Sequence, residues 1–292
     1  MIYAYIGTYT EGRREGIFIH RYNATNATLE AVGSTKTLAN PTFLAVHPSK
    51  RFLYAVSEVG DYDGKPQAAA SAYAIDSATG ALTLLNHVGC PGNAACHITL
   101  DPSARFVVLS NYGDGSVTVL PINADGSLGT SSDFVKHSGH GPHPNQDGPH
   151  AHSATFSLDG RIAYVADLGL DKLMAYRLDG GKLVAHTIPF VSLASGAGPR
   201  HFDFHPDAAE HVGYVINELD STLVVVDYDA ATGELRPKQT LPTLPEDFGG
   251  TSYCADVHVH PSGKFVYGSN RGHDSIAIFN IGATGLLTVA GP

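Results

Sequence analysis

Basic residues are scarce in this chain of 292 residues. Lysine and arginine together number 18, against 28 aspartates and glutamates, so the formal net charge is −10 at pH 7. Nucleic acids and anionic membranes are bound by broad basic surfaces. We therefore expect neither as a partner, whereas a small anionic substrate needs only a few well-placed cations.

Cysteine is also sparse. The three cysteines, Cys90, Cys96 and Cys254, are odd in number and lack the spacing of a zinc site, so we expect free thiols. Cys96 and Cys254 stand at the starts of predicted strands, where burial in the packing is the usual role of a free cysteine. We expect no reactive thiol and no metal at these positions.

Long apolar runs are absent as well. No stretch approaches the roughly 20 apolar residues that a helix needs to cross a bilayer. Met1 leads directly into a strand-like run, with no basic segment and no cleavage site, which predicts no secretory signal. The sequence therefore predicts a cytoplasmic protein and gives no prediction of its oligomeric state.

The chain is rich in one recurring pattern: a hydrophobic run, a tight turn, and a second hydrophobic run that ends in polar residues. Five copies are found, at 42–58, 96–112, 152–168, 200–218 and 255–271. Two further strand-like runs follow most copies. A repeat of about 50 residues built from four short strands is the signature of a β-propeller blade.

The repeat predicts an all-β fold, a β-propeller of four-stranded antiparallel blades in a single domain spanning 1–292. The predicted blades are 42–90, 96–135, 152–191, 200–241 and 255–290, with 2–38 as an incomplete first blade.

The ends of the hairpins locate the candidate site. In an antiparallel hairpin, the start of the first strand lies beside the end of the second, opposite the turn. Polar residues are concentrated at both places. The starts supply Asn40, His97, His150, His152, Arg200, His201 and Asp256, and the ends supply Glu58, Asn111, Tyr112, Asp167, Asn217, Glu218, Asn270 and Arg271.

Two kinds of residue are mixed in this set. Asn111, Asp167 and Asn270, taken singly, are typical of side chains that cap a turn. Charged groups at a channel mouth are costly unless they are paired or used. We therefore predict a functional role for four of these residues as a set: Arg200, His201, Glu218 and Arg271.

Several long segments carry a resemblance to a known family. GPRHFDFHP at 198–206, YVINELDST at 214–222, ADVHVHPSGKFVYGSNRG at 255–272 and DGPHAHS at 147–153 resemble the lactonase family of seven-bladed propellers. That family includes propeller-type 6-phosphogluconolactonases and carboxy-cis,cis-muconate cyclases. The resemblance extends over essentially the whole chain.

The resemblance implies an active site. The implied catalytic residues are His150, Arg200, Glu218 and Arg271. To these we add as candidate substrate-binding residues Glu58, His97, His201, Asn217, Asp256 and Asn270. Because lactone opening has a modest intrinsic barrier, we expect no cofactor and no metal.

The implied reaction is the opening of a phosphorylated sugar δ-lactone to its acid, in carbohydrate metabolism by the pentose phosphate pathway. Glu218 or His150 would act as general base. One arginine would stabilise the oxyanion and the other would bind a phosphate or carboxylate. No Gly-x-Ser-x-Gly motif is present, which disfavours a serine hydrolase. A lactone-forming muconate cyclase and a non-catalytic binding scaffold remain alternatives.

Two features stand apart from this site. The segment 137–152 contains His137, His140, His143, His150 and His152, but glycine and proline interrupt it. We interpret it as a loop that presents His150, in preference to a metal site.

The number of repeats differs from that of the family. Family members have a seventh blade and a closing strand, whereas six second-strand motifs are visible here, so we expect a chain that lacks the last blade.

Overall fold

The structure, a computed structural model, consists of antiparallel β-sheets and describes residues 1–10, 12 and 15–290. In these residues there are six sheets, five with four strands and one with three. The helical segments described are two single 3₁₀ turns, Pro144–Gln146 and Ala208–Glu210. The predicted all-β fold with four-stranded antiparallel blades is confirmed.

The chain divides into two compact units. The first comprises Met1–Lys136 and Gly180–Lys182. Its three sheets are β1 (Ile2–Gly7), β2 (Glu15–Asn23) and β3 (Thr28–Lys36); β4 (Leu44–Val46), β5 (Phe52–Ser57), β6 (Ala68–Ile75) and β7 (Leu82–Cys90); and β8 (Ala95–Leu100), β9 (Phe106–Asn111), β10 (Ser116–Pro121) and β11 (Asp133–Lys136).

The second unit comprises His137–Asp179 and Leu183–Pro292. Its three sheets are β12 (Ala151–Phe156), β13 (Ala163–Asp167), β14 (Lys172–Asp179) and β15 (Lys182–Ser192); β16 (Pro199–Phe204), β17 (Val212–Asn217), β18 (Thr222–Asp229) and β19 (Glu234–Pro242); and β20 (Tyr253–Val259), β21 (Phe265–Arg271), β22 (Ser275–Ile281) and β23 (Leu287–Val289).

Each sheet is a simple meander, because every strand pairs with the next one along the chain. The second strands of three sheets are buried at every position: these strands are β5, β13 and β17. Burial of one large aliphatic side chain contributes about 1.5–3 kcal/mol. The continuous apolar runs of these three strands therefore stabilise their sheets and pack against the neighbouring strands.

The predicted hairpin turns form where the sequence places them. In the HPSK turn the amide of Lys50 donates to His47 O, and in the SLDG turn the amide of Gly160 donates to Ser157 O, both at 2.7 Å. The fourth residue of each turn has a positive φ, 58° at Lys50 and 72° at Gly160. The second strands then begin two and three residues later, at Phe52 and Ala163.

The opposite ends of the hairpins meet as predicted. The amide of Glu218 donates to Gly198 O at 2.7 Å, and the amide of Leu168 donates to His150 O at 2.9 Å. In the second unit, β12 packs beside β16 and β16 beside β20. The starts and ends of these three hairpins therefore lie along one edge of the unit.

All three cysteines are buried free thiols, as predicted. Burial raises the pKa of Cys90 to about 12 and that of Cys254 to about 11. A thiol with such a pKa is not nucleophilic near neutral pH.

In the part of the chain that the structure describes, no helix is long and apolar enough to cross a membrane.

Candidate active site

In the second unit, the first strand of each of the three sheets has a β-bulge near its beginning. In β16 the register shifts between Pro199 and His201, which makes Arg200 the extra residue. Corresponding shifts fall at His152 in β12 and next to Asp256 in β20. A bulge bends its strand and redirects the side chain of the extra residue. The bulges thus bring polar side chains to the edge where the second strands end.

Two arginines share one carboxylate at this edge. Arg200 Nε donates to Glu218 Oε2 at 2.8 Å, and Arg271 Nη2 donates to the same oxygen at 2.7 Å. Backbone carbonyls fix both guanidinium groups, since Arg200 Nη1 donates to Ala255 O at 2.7 Å and Arg271 Nη2 donates to Cys254 O at 3.1 Å. The structure therefore joins three of the four predicted catalytic residues in one cluster, the Arg200–Glu218–Arg271 cluster.

The cluster keeps unused hydrogen-bonding atoms. Among the described residues, none bonds Glu218 Oε1, Arg200 Nη2, or Arg271 Nε and Nη1. The Glu218 side chain is 13% exposed, whereas that of Arg271 is 51% exposed. The cluster thus offers one acceptor oxygen and several fixed donors, and its three charges sum to one net positive charge.

A second hydrogen-bonded chain supports Arg200. His201 Nδ1 and Asp256 Oδ1 are 2.6 Å apart, and Asp256 Oδ2 lies 3.0 Å from His258 Nε2. The other ring nitrogen of His201, Nε2, lies 3.4 Å from Arg200 Nη1. With the His201 proton on Nδ1, this nitrogen can accept from the guanidinium. The chain thus runs from His258 through Asp256 and His201 to Arg200.

The environment sets the protonation of this chain. Burial lowers the pKa of His201, against the effect of the Asp256 carboxylate, so His201 stays neutral near pH 7. Although burial alone would raise the pKa of Asp256, the hydrogen bonds from His201 and His258 hold it below its ordinary value. The hydrogen bond to Asp256 raises the pKa of His258. His201 is only 6% exposed, and the geometry favours support of Arg200 over direct substrate binding for His201 and Asp256.

His150, the fourth predicted catalytic residue, lies immediately before β12. Its imidazole Nε2 is 3.2 Å from Asp147 Oδ1. Its backbone is held on both sides: its amide donates to Asp167 Oδ1 at 2.8 Å, and its carbonyl accepts from Leu168. His150 is therefore a fixed member of the edge, in the repeat next to the Arg200–Glu218–Arg271 cluster.

In the rest of the histidine-rich segment, His137 and His152 are buried, whereas His140 is exposed. His137 Nδ1 lies 2.6 Å from Asp167 Oδ2, both side chains are buried, and the ring stacks on Tyr176. Within the residues that the structure describes, no three His, Cys, Asp or Glu side chains are placed to hold a metal ion. The segment is a loop anchored by its buried side chains.

Two predicted substrate-binding residues, Asn270 and Asn217, have contacts inside the protein. Asn270 is buried; its Nδ2 donates to Thr243 O and Ser275 Oγ, and its Oδ1 accepts from the Thr243 hydroxyl. Asn217 is fully buried, and its Nδ2 donates to Thr222 Oγ1. These contacts close the turn after the second strand, so the geometry favours a capping role for both amides.

Glu58 and His97 belong to the first unit. Glu58 accepts from the Tyr9 hydroxyl at 3.0 Å and from the Thr42 hydroxyl at 2.6 Å. The His97 ring packs on Phe43, with ring centroids 4.2 Å apart. Substrate binding by Glu58 and His97 stays a prediction.

The sequence reasoning missed His258 and the contact of Asp167 with His137. His258 follows Asp256 by two residues in a strand, and residues at this spacing normally share one face. This signal was present in the sequence ADVHVH. The role of Asp167 depends on His137, which is 30 residues away, so no local pattern shows it.

Comparison with known proteins agrees with the fold and the motifs. The sequence profile described as "Lactonase, 7-bladed beta-propeller" matches residues 3–291. The 6-phosphogluconolactonase of Bacillus subtilis (strain 168) is 39% identical over 277 residues, which cover 95% of this chain and 77% of that protein.

Solved structures give the same result. The periplasmic gluconolactonase of Pseudomonas aeruginosa is similar with a TM-score of 0.89 and 31% identity, over 98% of this chain and 80% of that one. A protein from Lactobacillus plantarum is similar with a TM-score of 0.89 and 33% identity, over 99% of this chain and 81% of that one. The chain belongs to the lactonase family of seven-bladed β-propellers.

Proposed function

We propose that this protein hydrolyses 6-phosphoglucono-δ-lactone to the open-chain acid at the Arg200–Glu218–Arg271 cluster. The observation that carries the proposal is the sharing of Glu218 Oε2 by two arginines that keep further donors unused. Such a cluster can bind an anion and stabilise developing negative charge. A relative with 39% identity is a 6-phosphogluconolactonase, which supports this choice of substrate.

Glu218 is the proposed general base. Its Oε2 accepts from both arginines, so the second oxygen, Oε1, is the atom that can take a proton from water. The resulting hydroxide equivalent attacks the lactone carbonyl carbon, and the carbonyl oxygen becomes an oxyanion. Collapse of this intermediate breaks the bond from the carbonyl carbon to the ring oxygen, which takes up a proton and leaves as the sugar hydroxyl. Positioned acid–base catalysis contributes about 10²–10⁴-fold.

The two arginines have different proposed roles: Arg200 stabilises the oxyanion and Arg271 binds the phosphate. Arg200 is fixed by Glu218 and Ala255 O and is mostly buried, which suits the oxyanion because the field of a buried donor is weakly screened. Arg271 is half exposed and can reach a phosphate with Nε and Nη1. His150 remains the candidate for protonating the ring oxygen, because it begins the strand that packs beside the strand of Arg200.

Three further proposals concern the blades, the metabolic pathway and the location of the protein. We propose that the six sheets correspond to six of the seven blades named for the family. We also propose a role in the pentose phosphate pathway and, as the sequence predicts, a cytoplasmic location. The periplasmic gluconolactonase among the similar structures makes location a question for direct measurement.

A substrate panel tests the proposal. The purified protein is assayed with 6-phosphoglucono-δ-lactone, glucono-δ-lactone and carboxy-cis,cis-muconate, with spontaneous hydrolysis subtracted, as wild type and as Arg271→Gln. We expect the highest kcat/KM for the phosphorylated lactone, and we expect the variant to lose most of the preference over glucono-δ-lactone. Conversion of muconate alone would establish the cyclase instead, and no conversion by folded protein would favour a binding scaffold.

A further inference from the structure

One buried side chain outside the candidate site contacts both loops that lead into it. Asp171 closes the turn between β13 and β14 and is 6% exposed. Its Oδ2 accepts from the amide of Gly196 at 2.6 Å, and its Oδ1 accepts from the amide of Gly198 at 2.8 Å and from Gln146 Nε2 at 2.7 Å. A buried carboxylate is stable when such hydrogen bonds replace its lost hydration.

The first loop, residues 194–198, leads into Arg200 and receives Glu218. The carbonyl of Gly198 accepts from the amide of Glu218 at 2.7 Å, and that of Ala197 accepts from the amide of Leu219 at 3.0 Å. The position of the Glu218 backbone therefore depends on this loop. The carboxylate of Asp171 holds this loop by accepting hydrogen bonds from two backbone amides of the loop, those of Gly196 and Gly198.

The second loop, residues 141–147, leads toward His150 and is held through Gln146. This side chain is fully buried. Its Oε1 accepts from the amide of His143 at 3.0 Å, and its Nε2 donates to Leu168 O and to Asp171, both at 2.7 Å. Gln146 thus ties the loop to the same carboxylate that holds the first loop.

We propose that Asp171 and Gln146 form a positioning hub that sets the placement of Glu218 and His150 relative to each other. The inference rests on the proposed function for the identity of those two groups. Neither hub residue reaches the reacting atoms; each acts through the backbone it holds. A displacement of about 1 Å at a catalytic group can cost about 10²-fold in rate, so we expect the hub to affect catalysis strongly.

Asp171→Asn is the central variant, because Asp171 has a left-handed φ of 55° that asparagine also adopts. The new amide nitrogen would face one or two of the three N–H donors, so at least one bond is lost, and every bond that remains ends on a neutral and therefore weaker acceptor. Asp274→Asn is the matched control. Asp274 has the corresponding turn position and a φ of 53°, but it is exposed and accepts only from the amide of Gly272 among the described residues.

The experiment measures kcat and KM for 6-phosphoglucono-δ-lactone together with amide hydrogen exchange at His143, Gly196 and Gly198. We expect Asp171→Asn to speed exchange at all three amides at least about tenfold, as expected for loss of bonds to a charged group. We expect kcat to fall about 10- to 100-fold with a smaller change in KM, since Arg271 lies on β21 and is not held by the hub. Asp274→Asn should leave exchange and kcat at wild-type values.

Other outcomes separate the two claims. Unchanged exchange, or faster exchange in only one loop, would overturn the hub. Faster exchange in both loops with wild-type kcat would overturn its catalytic role. If the wild type does not turn over the lactone, the proposed function fails while exchange still tests the hub. If Asp171→Asn does not fold, Gln146→Met replaces it. We then expect faster amide exchange at His143 and wild-type exchange at Gly196 and Gly198. Equally faster exchange at all three amides would contradict the proposal.

Discussion

Neighbouring residues at the ends of the second strands have different tasks. Asn217 and Asn270 point into the protein and close turns, whereas the next residues, Glu218 and Arg271, form the charged cluster. The sequence identified all four positions, because polar residues at strand ends stand out against apolar runs. It did not separate the two roles, although the period-2 alternation of a strand predicts that neighbours face opposite ways.

His258 gives a residue-scale prediction of pH dependence. Its pKa is raised above 6.5 by Asp256, so its stabilising charge is fully present below pH 6.5 and is lost as the pH rises through the folded-state pKa. We expect His258→Gln to lower the free energy of unfolding more at about pH 5.5 than at about pH 9. The lowered pKa of His201 makes both proteins less stable at acid pH, and since the charge of His258 contributes only a minor part of that lowering, its removal offsets a small part of the difference.

Urea denaturation of wild type and His258→Gln at the two pH values measures this difference. His260→Gln serves as the control, because His260 contacts the hydroxyl of Ser262 in a turn and not a carboxylate. An equal loss of stability at both pH values for His258→Gln would show that its ion pair with Asp256 does not contribute.

At the scale of elements, the sequence predicted the hairpins but not the bulges. The alternation of apolar residues and the turn motifs at His47 and Ser157 determine where strands begin and end. A bulge depends on which residue of the partner strand lies opposite, as at Arg200 and Asp256, and this register is a property of the pairing. The exact placement of the site residues therefore came only from the structure.

The loop before β16 gives an element-scale prediction. Gly198 has a φ of +66°, and a Cβ at this position would lie 2.6 Å from Leu219 Cγ. We expect Gly198→Ala to lower the free energy of unfolding by about 1–3 kcal/mol and to reduce kcat, because Gly198 O accepts from the amide of Glu218.

Thermal and urea denaturation, with lactone kinetics, check this expectation. Gly249→Ala is the control, since no atom lies within 4 Å of the added Cβ and its φ is not left-handed. Its stability should change by less than about 0.5 kcal/mol. A Gly198→Ala protein as stable and as active as Gly249→Ala would contradict the account of this loop.

At the scale of the whole molecule, the repeat made the fold predictable. Five copies of one pattern at nearly constant spacing indicated the blades, and the family resemblance indicated the site. In the last sheet, β21 alternates between buried and partly exposed residues, and Ile276 and Ile278 of β22 and Val289 of β23 are exposed. The division into two compact units and the anchoring of residues 137–150 by Asp167 and Asp171 depend on contacts distant in sequence, which a local pattern does not show.

The carboxylate of Glu218, which two arginines share, is the proposed catalytic base. The measurement that tests it most directly is kcat/KM for 6-phosphoglucono-δ-lactone in Glu218→Gln, compared with wild type and with Glu234→Gln. Glu234 is also paired with an arginine, Arg236, in the same sheet but on its outer strand. We predict a loss of about 10²–10⁴-fold in Glu218→Gln and wild-type activity in Glu234→Gln. A folded Glu218→Gln protein that retains wild-type kcat/KM would contradict the account.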